Sequence, residues 1–462
     1  MYKVRLNNRI VKVPDGTILA DILIKSGEKL PHLCGGKGTC RKCLVSVNGK
    51  KELSCQYKIK SDIDVVLPEN DDIFSEIGAN ESGEITENCC LCLDIGTTTL
   101  ALALISVDEK KIIKVKTAAN PQRAFGGDVL TRIEYCNKNG ISELQICLIN
   151  KINEMIDNIG VSTANTMYVS GNTTMLHILF GVDPSSIGVA PYTPVFLDSK
   201  KIKGEQIGLN KIENVISLPC ISAFVGADLV AGVNFADSPQ ENKYNLLIDL
   251  GTNAEIILYN ENELYCTSAA AGPCFEGANI TCGMSATDGA IYSYSIDGSF
   301  KTIGNKTSIG ICGTGLIDII SILLEKGVID ETGYMDCEEY FITNNIKLTQ
   351  KDIRQFQLAK SAVYSGLTAI LREKAVSFED IENLFISGGF SAKINTENTV
   401  KTGLLPRELK DKIIVLNNSS LLGTVKYACE QNDLSVFLKN ERYIDLSTNE
   451  FFSQMFIENM EF

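Results

Sequence analysis

Leu91-Cys-Leu-Asp94-Ile-Gly96-Thr97-Thr98-Thr99-Leu-Ala-Leu-Ala-Leu and Leu246-Leu-Ile-Asp249-Leu-Gly251-Thr252-Asn253-Ala-Glu255-Ile-Ile-Leu are two copies of one pattern. Each reads apolar strand, aspartate, apolar residue, Gly-Thr, a polar residue, then a second apolar strand. The spacing predicts a hairpin whose tight turn carries an acid, a glycine and hydroxyls. Glycine lets backbone N–H groups close around an anion, and threonine hydroxyls add donors. An aspartate at the strand end can hold Mg²⁺ through waters or orient an attacking water. One Asp-x-Gly-Thr is also an ordinary strand turn. Two copies about 150 residues apart predict a duplicated lobe with a ligand in the cleft between the halves.

A third segment agrees. Asn383-Leu-Phe-Ile386-Ser387-Gly388-Gly389-Phe390 is a strand running into a double glycine, a turn that allows close approach of an adenosine. No G-x-x-x-x-G-K-[ST] occurs, so a P-loop is not the nucleotide site. Together these segments resemble the actin, sugar-kinase and heat-shock-chaperone ATPase superfamily. That resemblance implies two ribonuclease-H-like α/β lobes. It makes the two Asp-x-Gly-Thr turns the phosphate motifs and Gly388-Gly389 the adenosine motif.

The N-terminal part carries a different chemistry. Cys34, Cys40, Cys43 and Cys55 follow the pattern C-x5-C-x2-C with one distant cysteine. Thiolates at this spacing can wrap a small iron–sulfur cluster, and the plant-type pattern differs by one residue in the first gap. Zinc sites favour two tight knuckles, and only Cys40–Cys43 makes one. Tyr2–Leu6 and Arg9–Val13 alternate around Asn7-Asn8, a hairpin signal. Thr17–Ser26 reads as a short amphipathic helix, with strands at Leu44–Val47 and Ile63–Leu67. The order resembles a β-grasp ferredoxin of the adrenodoxin kind, which implies a 2Fe–2S cluster.

Composition narrows the partners. The 462 residues are 44% hydrophobic and 22% charged, with net charge −14 and a pI near 4.9. That is an ordinary globular balance. It argues against nucleic acid and anionic membranes, which both need a basic footprint. The first residues contain no apolar leader core. The most apolar stretch, Ile309 to Leu324, contains Asp318 and falls short of a span. Sixteen cysteines in such a chain read as metal binding plus buried thiols, and the expected location is the cytoplasm. Only His32 and His177 are histidines, which excludes a multi-histidine metal site.

The expected division is therefore a ferredoxin-like domain over 1–70, an acidic linker over 71–88, a first ATPase lobe over 89–240 and a second over 241–462. The fold class is multi-domain α/β. The pairing resembles the ATP-dependent reductive activators of corrinoid-dependent methyltransferases. Val169-Ser-Gly171-Asn172-Thr173-Thr174-Met175, Phe224-Val-Gly226-Ala-Asp228, Ala270-Ala-Gly272-Pro273-Cys-Phe-Glu276-Gly277-Ala-Asn279 and Cys312-Gly313-Thr314-Gly315 carry that match. The resemblance implies that one electron passes from a 2Fe–2S centre to the Co(II) of a corrinoid protein, regenerating Co(I). It implies a low-potential electron donor and a homodimer.

Plant-type centres sit near about −400 mV. Each 59 mV of uphill gap costs about 1.4 kcal/mol. ATP binding or hydrolysis can supply a gap of that order. Alternative readings are an ATP-driven electron injector for another low-potential acceptor, and a small-metabolite kinase with a redox-sensing cluster.

Residue roles follow. Asp94 and Asp249 are the expected Mg²⁺ and water-positioning acids. Gly96, Thr97, Thr98, Thr99, Gly251, Thr252 and Asn253 are the expected phosphate contacts, and Gly388 and Gly389 the adenosine contacts. Cys34, Cys40, Cys43 and Cys55 are the expected cluster ligands. Glu255 either faces the cleft or solvent. Asn172 either lines the cleft or caps a helix. His177 reads as a satisfied core histidine, and Cys92 as a small buried hydrophobe.

Overall fold

The computed structural model describes residues 1–6, 9–26, 43–67, 89–236, 238–389, 393–431, 433–434, 438 and 440–462. The first unit is a five-stranded sheet with one helix. Its strands are β1 (Tyr2–Leu6), β2 (Arg9–Val13), β3 (Leu44–Val47), β4 (Lys50–Leu53) and β5 (Ile63–Val66), and its helix is α1 (Leu19–Lys25). The order is β2-β1-β5-β3-β4, with β1 antiparallel to β2 and parallel to β5. Val4, Leu6, Val45, Val47, Ile63 and Val65 alternate inward and meet Leu19 and Leu23 of α1. This is the mixed sheet of a β-grasp fold. Strand β4 was not foreseen; its Lys-Lys-Glu-Leu has little strand character and pairs only with β3. The expected Asn7-Asn8 turn, the linker, Cys34 and Cys40 lie outside the described residues.

Two six-stranded sheets follow. The first holds β6 (Cys89–Ile95), β7 (Thr99–Ser106), β8 (Lys111–Ala119), β9 (Ala164–Gly171), β10 (Lys201–Lys203) and β11 (Ile212–Ser217). Its helices are α2 (Val129–Asn139), α3 (Ser142–Ile159), α4 (Thr173–Leu179) and α5 (Ala227–Phe235). The second sheet begins with β12 (Tyr244–Leu250), β13 (Ala254–Tyr259) and β14 (Leu264–Ala269). An excursion follows: β15 (Ala290–Tyr294), β16 (Phe300–Thr302), β17 (Gly310–Ile311), helix α6 (Gly313–Glu325), hairpin β18 (Glu339–Phe341) and β19 (Lys347–Thr349), and α7 (Gln350–Lys374). The sheet resumes with β20 (Ile381–Ser387), followed by α8 (Thr396–Lys401), β21 (Ile413–Val415), α9 (Ser419–Glu430) and β22 (Glu441–Tyr443). A last helix covers Glu450–Glu458.

The orders are β10-β11-β9-β6-β7-β8 and β21-β20-β12-β13-β14-β22. In each sheet the first three strands form an antiparallel meander. The fourth strand runs parallel to the first, β9 beside β6 and β20 beside β12. A further strand runs parallel to the fourth, β11 beside β9 and β21 beside β20, and in the first sheet the short β10 precedes β11 and pairs with it antiparallel. The duplication expected from the two turns is therefore a duplication of whole sheets, and the fold class is the one expected.

The lobes are not two independent bodies in chain order. Helix α9 comes late in the chain but packs Leu421, Val425 and Ala428 against Cys90, Cys92, Ala101 and Ala103 of the first sheet. It crosses α5 so closely that a Cβ at Gly423 would lie 1.8 Å from the Ala231 carbonyl oxygen. Leu247, Ile257 and Phe385 of the second sheet share one core with α5 and the first lobe. Helix α7 starts at a capping box, Thr349 with Asp352, and buries Ile353, Phe356, Val363, Leu367 and Ile370 on one face. The last helix is capped by Asn449, whose side chain accepts from the Phe452 N–H.

Candidate nucleotide cleft and cluster site

The two acids sit at equivalent strand ends. The parallel register places Asp94 beside Ser170 and Asp249 beside Ser387. The Ser387 hydroxyl donates to Asp249 Oδ2 at 2.6 Å, and the Ser170 hydroxyl reaches Asp94 Oδ1 at 3.5 Å. Asp94 Oδ1 also accepts from Ser420 at 2.7 Å, delivered by the first turn of α9. A glycine follows each serine. Gly171 has φ 153° and Gly388 φ 115°. A Cβ at these positions would lie 2.8 Å from the Ile95 oxygen and 2.2 Å from the Leu250 oxygen. Side chains rarely adopt such backbone, and the space is taken by the strand that carries the acid. The repeating unit is thus acid, opposed serine, then glycine. Ser170-Gly171 and Ser387-Gly388 stood in the sequence as a second internal repeat that the sequence reading left unpaired.

The first turn is braced from the rest of its lobe. Asn120 Nδ2 donates to the Gly96 carbonyl at 2.8 Å, and the Asn120 N–H donates to Thr98 O at 2.9 Å. Arg132 is fully buried. Its guanidinium donates to the carbonyls of Thr97 and Gly126 and to Gln122 Oε1. Burial pushes Arg132 down to about 9, still a cation at neutral pH. Asn172 does both things expected of it. Its Oδ1 caps α4 at the Met175 N–H, and its Nδ2 donates to Thr97 Oγ1 at 3.1 Å. The second turn closes on itself through Gly251 N–H to Asn253 O at 2.9 Å. Its Thr252 hydroxyl donates to Glu276 Oε2 at 2.6 Å.

Five carboxylates line this region: Asp94, Asp228, Asp249, Glu255 and Glu276. Each is surrounded by protein yet keeps part of its surface open, the pattern of a cleft floor. Burial pushes Asp94 up to about 6; the Ser420 bond opposes the rise and the Asp249 charge adds to it. Burial, then the charges of Asp249 and Asp94, pushes Asp228 up to about 8. Burial raises Asp249 against the pull of Ser387. Glu255 stands directly across from Asp249 in the β12–β13 pair, so it lies on the same face as that acid; burial and the charges of Asp249 and Asp228 push it well above the usual range. Asp228 and Glu276 stand in the sequence within longer segments, and no local motif marks them as acids of the cleft.

These residues fit Mg²⁺ and a triphosphate. A hard divalent cation takes oxygen donors, keeps several waters and needs only one or two carboxylates plus phosphate oxygens. Among the described residues no group of three or more His, Cys, Asp or Glu side chains has metal-holding geometry. Carboxylates close enough to raise one another are the surroundings that a cation relieves. Among the described residues nothing stands within 4 Å of a Cβ placed at Gly389.

In the first unit, Cys43 and Cys55 are both buried and pack together with Ala20. The Ser54 N–H donates to the Cys43 carbonyl at 3.0 Å. Two of the four expected ligands are therefore side by side, and soft thiol donors suit an iron–sulfur cluster. Cys92 is fully buried beside Cys90, as a small hydrophobe. His177 is buried as well, with Nδ1 2.8 Å from Thr173 O, Nε2 accepting from Val195 N–H at 3.1 Å, and its ring stacked on Phe196.

Comparison with known proteins agrees with both halves. Residues 1–68 match a 2Fe-2S iron-sulfur cluster binding domain, 89–240 the RACo middle region, and 243–462 the C-terminal domain of RACo, the ASKHA domain. A cluster-binding domain joined to a two-lobed nucleotide fold defines the class, an ATP-dependent iron–sulfur activase. The chain belongs to the RACo family of reductive activators, whose domain set it carries in order.

It is 26% identical to the corrinoid activation enzyme RamQ of Eubacterium limosum, with 98% of this chain and 97% of that protein covered. It is 25% identical to a Co(II) methylated amine-specific corrinoid protein reductase of Methanosarcina barkeri, over 79% of this chain and 76% of the other. A solved reductive activator for corrinoid, iron-sulfur protein superposes with a TM-score of 0.72 at 25% identity, covering 100% of this chain and 98% of that one. No helix of the described residues is long and apolar enough to cross a membrane.

Proposed function

We propose that this chain uses ATP to drive one electron onto the Co(II) of a corrinoid protein, regenerating Co(I) for methyl transfer. The observation that carries the reading is the duplicated acid–serine–glycine frame at the cleft, in a chain whose first 68 residues match a 2Fe-2S domain. When bound, a 2Fe–2S cluster supplies one-electron transfer, and Mg²⁺ supplies charge neutralisation for the phosphates. Cys34, Cys40, Cys43 and Cys55 hold the cluster in residues 1–70. The segment 71–88 tethers it to the lobes 89–240 and 241–462.

In the cleft, Asp94 and Asp249 orient water and bind Mg²⁺, each steadied by its serine. Gly96, Thr97, Thr98, Thr99, Gly251, Thr252 and Asn253 receive phosphate oxygens. Gly388 and Gly389 border the adenosine. The electron donor is a low-potential one-electron carrier. Sixteen cysteines support a reducing compartment, the cytoplasm.

The test is spectroscopic. The full chain is mixed with a chemical reductant, ATP and a Co(II) corrinoid protein, and Co(I) absorbance is followed. Co(I) should form rapidly only with ATP and cluster. Equal rates without ATP, or with Asp249→Ala, overturn the coupled mechanism. Paramagnetic resonance of the reduced protein should show a two-iron signal; a four-iron signal overturns the cluster assignment.

A further inference from the structure

We propose that Glu276 is a positioning residue that holds the Thr252 hydroxyl of the second phosphate turn, reaches toward Thr98 of the first, and yields these hydroxyls when phosphate enters. This rests on the reading that the turns bind phosphate. Glu276 Oε2 accepts from Thr252 of the second turn at 2.6 Å, and Oε1 lies 3.5 Å from Thr98 Oγ1 of the first turn. One carboxylate thus offers an oxygen to each lobe. The short arm reaches the second turn.

The backbone beneath Glu276 is fixed. It ends the helical turn Pro273–Glu276, between Gly272 and Gly277, both at positive φ. A Cβ at Gly277 would lie 2.2 Å from Met284 O, so the chain cannot shift toward that side. Cys274 and Phe275 are buried, and Phe275 meets Phe356 of α7 edge-on at 6.0 Å. The side chain is therefore presented from a rigid base.

A phosphate oxygen is an acceptor of the same kind as a carboxylate oxygen, and both are anionic. The two cannot share the Thr98 and Thr252 hydroxyls without strong repulsion. The positive charge of Arg123 acts on Glu276, and Glu276 in turn acts on the buried Arg132. Exchange of these two hydroxyls from Glu276 to phosphate gives the lobes a way to register nucleotide.

Calorimetric titration of Mg–ATP and Mg–ADP into the full chain tests this, using wild type, Glu276→Gln and Glu276→Ala, with thermal melts to verify folding. Loss of the competing anion should tighten Mg–ATP binding about tenfold in Glu276→Ala and a few-fold in Glu276→Gln. Weaker binding in either variant makes Glu276 a ligand of metal or phosphate and overturns the proposal. Unchanged binding overturns it as well. Should the alanine variant not fold, the glutamine variant decides by the same criteria. A wild-type chain that binds Mg–ATP but makes no Co(I) sinks the proposed function and leaves this inference standing; one that does not bind Mg–ATP sinks both.

Discussion

The turn after Asp94 is braced by Asn120, Arg132 and Asn172, whereas the turn after Asp249 leans on its own backbone, on the Asn253–Glu255 hydrogen bond and on Glu276. The strands beneath them are copies, down to the serine opposite each acid and the glycine after it. Duplication has thus kept the frame that aims the acids and let the loop support diverge. A turn held by buried side chains is already in its working shape, so nothing is spent ordering it when ligand arrives. A turn held by a displaceable carboxylate can change partners. On the proposed reading the first lobe supplies a fixed half of the site and the second a responsive half.

The largest effects should come from the shared frame, and they should be symmetric. Asp94→Ala and Asp249→Ala should each lower ATP hydrolysis and ATP-dependent Co(I) formation by on the order of 10²- to 10³-fold. Phosphate release and Co(I) absorbance measure this directly. If either variant keeps wild-type rates, the two halves are not equivalent at the acids, and the comparison fails at its base.

The supports should behave unequally. Arg132→Met removes a buried guanidinium that serves two carbonyls and a side-chain amide. Those acceptors stay buried, so the loss should be about 3 kcal/mol of stability by urea titration. Thr252→Val removes one hydroxyl from the second turn and should cost about 1 kcal/mol or less. Its main effect should be on Mg–ATP affinity. Comparable destabilisation in the two variants would remove the distinction between fixed and responsive turns.

Acidity sharpens the same contrast. Asp228 is pushed to about 8 and Asp94 to about 6, from an ordinary 3.8. The folded chain therefore keeps protons that the unfolded chain has released. That stabilisation is complete below about pH 4 and is lost as pH rises, through about 6 for Asp94 and about 8 for Asp228. Without nucleotide, the melting temperature should fall by several degrees between pH 5 and 8. Asp228→Asn should flatten the upper part of that slope. Mg–ATP should flatten it too, because cation binding replaces protons among the acids. A slope of the opposite sign, or one indifferent to Asp228→Asn, places these carboxylates in solvent.

What the sequence made legible was whatever is written in contiguous residues. The two turns, the strands around them and the cysteine spacing are local patterns, and each implies its geometry directly. The opposed serines are different. Ser170 and Ser387 reach the acids only through the parallel pairing of a first with a fourth strand, many residues on. Ser420 arrives from still further, because α9 packs on the first sheet through Leu421, Val425 and Ala428. Arg132 looks like a surface charge on α2 until its helix is laid against the turn. Glu276 sat within a matching segment, but nothing adjacent shows that it touches Thr252. Bonds made across the cleft have no periodicity in the chain, so only the folded structure discloses them.

The smallest predicted effect separates the serines themselves. Asp249 has Ser387 at 2.6 Å, while Asp94 has Ser420 at 2.7 Å and Ser170 at 3.5 Å, with the two hydroxyls 2.9 Å apart. A hydrogen bond to a charged carboxylate contributes about 1.5–3 kcal/mol, and a long one contributes little. Ser387→Ala should therefore lower ATP turnover by about tenfold and move the acidic limb of the pH–rate profile upward, since its hydroxyl holds Asp249 down. Ser170→Ala should change turnover by no more than about threefold, because Ser420 keeps its short bond to Asp94. The double variant Ser170→Ala with Ser420→Ala should then match Ser387→Ala. If Ser170→Ala alone equals Ser387→Ala, the serines act as strand-end packing that both lobes need equally, and the extra support from α9 does nothing for the acid.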